Sequence, residues 1–176
     1  MDLQGEREQL LRRGYEAGVW YEKTYHGCSQ CVLTAIMDVM GERDDQVFRS
    51  ASGLAGGLAC SSRATCGALI GGIMAISQRY GRERNKFDDV ERIRFRCYEI
   101  SRKLLERFES EYGSSRCADI QTQLMGRSFD LLDPADWEEF VEAGGHDTHC
   151  PSVVGNAVKW TIEVLLGDEY AYRHAS

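Results

Sequence analysis

Apolar residues along this chain recur at helical spacing, with charged and polar residues between them. Residues 3–24 place Leu10, Tyr15, Val19 and Tyr21 among charges, which predicts a first helix broken at Gly27. A second is expected over 29–40, stopped by Gly41, and a short third over 44–52. Residues 53–65 open with glycines and close with small polar residues, so they read as a loop. A fourth helix is expected over 66–80. The fifth and longest is expected over 87–112, because Val90, Ile93, Cys97, Ile100, Leu104 and Phe108 fall three or four apart. Short helices follow at 118–125 and from Asp133-Pro134 to Val141. A last long one runs over 151–166, with Gly167 as its stop. No alternating run of β-branched residues exceeds a few positions. The pattern predicts an all-α protein, a single-domain bundle of about six to eight helices spanning 1–176.

The fourth helix carries a second pattern. Gly67, Gly71 and Ala75 recur every four residues, a small-residue stripe that lets another helix approach closely. That helix belongs to the same chain or to a second copy, and a homodimer is the expectation. The longest apolar stretch, 66–76, is too short to span a bilayer and reads as a buried core helix.

Composition narrows the partners. Of 176 residues, 43% are hydrophobic and 28% charged, and the formal net charge is -7. An acidic surface repels phosphate backbones and anionic lipid, so neither nucleic acid nor membrane is an expected partner. The first residues are charged and lack an apolar targeting segment, which gives a cytoplasmic, reducing location as the expectation. The seven cysteines are an odd number, and disulfides are rare in such a compartment. Metal binding or thiol redox chemistry is therefore favoured.

Four cysteines share a position. Cys28 opens the second helix, Cys66 follows Thr65 at the start of the fourth, Cys117 opens a short helix, and Cys150 precedes Pro151. Unpaired N–H groups and the positive end of the helix dipole favour thiolate there, so lowered pKa values are expected. Arg116 and His149, each beside one of these cysteines, are candidates to add to the effect. Cys97 lies on the apolar stripe and reads as core. Cys31 stands one turn after Cys28, so both are candidates for one site. Cys60, in the Gly/Ser loop, is a candidate resolving thiol or ligand.

Other motifs weaken on inspection. Cys28-Ser29-Gln30-Cys31 is a C-x-x-C, but Val32 stands where c-type haem attachment needs His. No strand precedes it, as a thioredoxin-like motif requires, and no second C-x-x-C completes a zinc ribbon. The glycines at 53, 56, 57, 67, 71 and 72 match neither the dinucleotide fingerprint nor the P-loop. His26 lies near Cys28 and His149 adjoins Cys150, which makes each a candidate ligand or proton donor.

The segment Cys66-Gly67-Ala68-Leu69-Ile70-Gly71 resembles the C-G-A-x-x-G motif of the family named for its C_GCAxxG_C_C cysteine signature. Cys28, Gln30, Val32 and Leu33 are similar to that family's first cysteine segment. Gly113-Ser114-Ser115-Arg116-Cys117 resembles its G-S-x-x-C, and Cys150 sits near the final helix as its fourth cysteine does. The resemblance covers about 25–165 and implies a redox-active protein. A related module occurs in the split-Soret cytochromes, which implies a dimer and an iron–sulfur cluster, here without the haem-binding part. It makes Cys28, Cys66, Cys117 and Cys150 the expected metal ligands. Cys31, Cys60 and Cys97 are additional to the usual pattern. Two alternatives stand beside a cluster and its electron-transfer partner. One is a metal-free thiol–disulfide oxidoreductase with Cys66 or Cys28 as the attacking, catalytic thiolate. The other is a non-catalytic zinc or interaction module.

Overall fold

The computed structural model describes residues 3–174. Among them the chain forms α1 (Leu3–Tyr25), α2 (Cys28–Met40), α3 (Asp45–Ser50), α4 (Gly67–Tyr80), α5 (Ile93–Tyr112), α6 (Cys117–Met125), α7 (Pro134–Glu142) and α8 (Cys150–His174). Short 3-10 turns lie at Ser52–Leu54 and Arg84–Lys86. A π turn, Gly145–His149, leads straight into α8. The protein is all-α, as the hydrophobic spacing predicts.

α8 is the central element, and α1, α2, α4 and α5 all pack on it. It can be central because Val153, Val154, Ala157, Val158, Ile162 and Leu165 make it apolar around most of its circumference. Leu33, Ile36, Leu69, Ile76, Ile100, Leu104 and Phe108 fill the space around it and are 0–2% exposed. Each such side chain contributes about 1.5–3 kcal/mol by leaving water.

Two glycine lines set how closely the helices approach. On α1 the buried line is Leu11, Gly14, Gly18 and Glu22, rather than the expected Leu10, Tyr15, Val19 and Tyr21. A Cβ at Gly14 would stand 2.6 Å from Ile162 of α8, and one at Gly18 2.8 Å from Val158. On α4, Gly71 abuts the Ser29 carbonyl of α2, and Gly72 abuts Thr161 and Leu104. The α4 stripe is thus filled within the chain, and a homodimer would use another surface.

Three boundaries differ from the sequence reading. α5 begins at Ile93 instead of 87, and Val90 is 81% exposed. Asp89 and Arg92 adopt left-handed φ, and the buried Asp89 carboxylate accepts hydrogen bonds from the backbone and side chain of Arg94. That capped turn starts the helix six residues late. α8 runs past Gly167, whose missing side chain faces open space and which does not turn left-handed. At α4 the N-cap is Cys66 itself, because Thr65 pairs elsewhere. Asp133 caps α7 through the amides of Ala135 and Asp136, as Asp133-Pro134 predicts. No helix among the described residues is long and apolar enough to cross a membrane.

Candidate functional site

Between α3 and α4 the backbone turns the wrong way for L-residues. Gly56, Gly57, Leu58, Ala59 and Cys60 have φ of 48–68°, and Ser62 has 59°. Left-handed backbone costs about 1–2 kcal/mol per non-glycine residue. Hydrogen bonds hold it there: Ala59 N–H to Gly53 O, Cys60 N–H to Ala55 O and Ser62 N–H to Gly56 O, all 2.8–3.1 Å. Two more tie it to distant chain, from Ala118 N–H to Ser62 O and from Leu131 N–H to Cys60 O. The turn directs the Gly56 N–H at the Cys28 sulfur, 3.5 Å away. Gly57 lies so close to Cys117 that a Cβ would be 2.6 Å from that residue's own.

The turn ends in an isolated antiparallel bridge between Thr65 and Arg116. Cys66 N–H donates to Ser115 O and Cys117 N–H to Ala64 O, both 2.9 Å. Each cysteine therefore follows a paired residue, and each starts a helix: Cys66 as N-cap of α4, Cys117 as first residue of α6. Their thiols lie near enough to interact, and the Cys117 thiol also points at Ser62 Oγ, 4.0 Å away.

These elements enclose a cavity of about 210 Å³. Cys28, Cys60, Cys66, Cys117 and Cys150 all line it, with Ile120, Leu124, Leu131, Trp137, Phe140, Val153 and Val154 as apolar wall. A site of this size holds far more than one water or one bare ion. Glu22, His26, Gln121 and His146 complete the lining. Among the described residues three buried side-chain atoms lack a hydrogen-bond partner: Glu22 Oε2, Gln121 Nε2 and His146 Nδ1. All three residues are on this cavity. Buried polar atoms are normally paired, so a cluster of orphans marks a place where a further group supplies partners.

The electrostatics correct the expectation of lowered thiol pKa values. Burial pushes Cys28 and Cys150 well up, reinforced by the Glu22 carboxylate. Cys66 is also pushed well up, first by the neighbouring Cys117 thiol and then by burial. The Gly56 N–H at Cys28 and the amides of Ala68 and Leu69 at Cys66 act the other way and are outweighed. Helix N-termini are present, but in an apolar cavity desolvation wins. Without a bound cation these thiols are neutral, which argues against Cys66 or Cys28 as a ready attacking thiolate. Burial also raises Glu22 to about 7 and, with His26 beside it, lowers His146 to about 4.

All four expected ligands reach the cavity, and Cys60 joins them. Cys150 differs in kind: its N–H donates back to Gly145 O across the π turn, so it is not a free helix end. Cys31 does not line the cavity. It turns toward α1, where its thiol donates to His26 O at 3.1 Å and meets Glu22, so the C-x-x-C does not present two thiols to one site. Cys97 lies in the core, 3.7 Å from Ser77 Oγ. His26 lines the cavity and His149 does not; Arg116 pairs with Asp119 at the surface. Among the described residues no three His, Cys, Asp or Glu side chains stand close enough to grip a single ion.

Sequence reasoning missed Glu22, Gln121 and His146. Glu22 had a signal, since it continues the line Leu11, Gly14, Gly18 by one more turn. Gln121 stands four residues after Cys117, on the same helix face. His146 lies in the π turn, which has no sequence mark.

The family model described as "Putative redox-active protein (C_GCAxxG_C_C)" matches residues 26–164. No curated protein and no solved structure matches the chain. The matched span runs from His26 to Val164 in α8, and contains every cysteine of the cavity.

Proposed function

The chain belongs to the C_GCAxxG_C_C family of redox-active proteins, and on that premise we propose that it carries electrons on an iron–sulfur cluster held by Cys28, Cys66, Cys117 and Cys150. The observation that carries this reading is the shared cavity. Four sequence-distant thiols, with Cys60 as an auxiliary fifth, line one apolar space that also collects the orphaned polar atoms. The donor set fits the group, since thiolates are the usual cluster ligands. The lack of a tight three-ligand grip weighs against a lone zinc ion and less against a cluster, whose thiolates bind different irons and stand farther apart.

When bound, a cluster supplies one-electron chemistry: one electron enters from a reduced carrier and leaves to an oxidised one. The residues of the chain bind and shield it. Cys28, Cys66 and Cys150 are neutral beforehand, so each of these three gives up a proton on binding. Trp137 and Phe140 keep water from the site, and the Gly56 N–H offers a hydrogen bond to the Cys28 sulfur. Free thiols suit a reducing location such as the cytoplasm.

Iron and acid-labile sulfide measured on anaerobically purified protein test the proposal. Stoichiometric iron and sulfide with visible absorption are expected. Colourless, iron-free protein after anaerobic reconstitution would sink it.

A second reading rests on the Cys66–Cys117 contact. There the two thiols surrender two electrons and two protons to a disulfide substrate, which leaves as two thiols. Mass spectrometry of the metal-free protein would then find a reversible Cys66–Cys117 disulfide. Light scattering reads whether the working form is a homodimer.

A further inference from the structure

We propose that Gln121 is a potential-setting residue, donating a side-chain N–H hydrogen bond to sulfur of the group held at the cavity. The proposal rests on the cluster reading above and assigns a role that the cysteines alone do not supply.

Gln121 is 2% exposed and lines the cavity. Its Oε1 accepts a hydrogen bond from the Phe129 backbone N–H at 3.0 Å. That bond fixes which end of the amide is which. The oxygen holds the 129 loop, and the nitrogen is left buried with no partner. An unpaired buried donor is costly, so it calls for a partner supplied by what the cavity holds.

The amide nitrogen can only donate, so what completes it must be an acceptor. Glu22 Oε2 and His146 Nδ1, the other orphans, can each donate or accept and are less informative. Placement supplies the second argument. Gln121 is four residues beyond Cys117 on α6, so the two side chains share a helix face. A group bound to the Cys117 sulfur therefore lies beside the Gln121 amide. Thiolate and sulfide sulfurs are acceptors, and they are the electron-rich atoms of such a group. A hydrogen bond to them stabilises the extra negative charge of the reduced state, which raises the reduction potential.

The test uses the full chain loaded with iron and sulfide. Q121L and Q121M are expected to bind iron as the wild type does but to show a more negative midpoint potential. Wild-type protein grown with side-chain 15N-glutamine is expected to show a 15N coupling to the reduced cluster in pulsed EPR, absent from both variants. Normal loading with unchanged potentials, or no 15N coupling in the loaded wild type, would overturn the role of Gln121 alone. Iron-free wild type would instead overturn the cluster reading beneath it. The 15N measurement needs no variant, so a substitution that disturbs folding does not leave the matter open.

Discussion

Around Phe108 and Leu104, helices α4, α5 and α8 meet with side chains that are fully buried and apolar. Around Cys66 and Cys117 the chain leaves a cavity, strands three polar atoms without partners and bends five successive residues left-handed. The first region gains free energy from nearly every residue in it. The second loses it in several separate ways. Such costs persist only where the rest of the fold over-determines them, and here the bundle core does so. The difference marks out the candidate site without reference to any motif.

The largest test of this contrast is Phe108→Ala. It should cost about 3–5 kcal/mol in urea unfolding, while the iron bound per folded molecule stays unchanged. Lost iron in the folded variant would show that core and cavity are one unit.

Glu22→Gln probes the cavity side. Unfolded, Glu22 titrates near 4.5; folded, near 7. Between these values the folded state keeps a proton that the unfolded state has lost. Its contribution is therefore full below pH 4.5 and falls as pH rises to 7, by about 3 kcal/mol. His146 works oppositely: its folded value, about 4 against 6.5, costs stability as pH falls through that range. Metal-free Glu22→Gln should thus gain on the wild type progressively toward pH 7, and its own stability should rise with pH. Parallel wild-type and variant profiles from urea unfolding at several pH values would contradict the burial of this carboxyl.

Gly71→Ala sits on the boundary between the two regions. Its Cβ would lie 2.5 Å from the backbone oxygen of Ser29, next to Cys28, so about 1–3 kcal/mol of stability and some bound iron should go together. The smallest effect on stability, about 1 kcal/mol, is expected for single cysteine changes. Cys97→Ser should keep its iron and Cys66→Ser should lose most of it, as read by iron analysis. Equal retention would erase the distinction between core thiol and cavity thiol.

The bundle was legible because apolar spacing encodes helices directly, and Cys97 was legible as core for the same reason. Cys28, Cys66, Cys117 and Cys150 stood out by position and by motif. That they line one cavity was not legible, because the contacts that join them link residues such as 65 and 116 through loop backbone, which leaves no periodic trace. The ionisation state of the thiols was misjudged for a related reason. A helix start can be seen in sequence, whereas the depth of burial that outweighs it is a property of the assembled walls. The late start of α5 escaped because Val90 fits the stripe by spacing, while the left-handed Asp89 and Arg92 break it.

The turn at residues 56–60 has an implication for chirality. Leu58, Ala59 and Cys60 hold a backbone hand that mirror-image amino acids adopt without cost. A semisynthetic protein with D-alanine at position 59 should therefore fold at least as stably as the natural one. The same replacement inside α4 or α5 would break a helix. Ribosomal synthesis offers only one hand, so the chain uses achiral glycine at 56 and 57 and bears the steric cost at the next three residues.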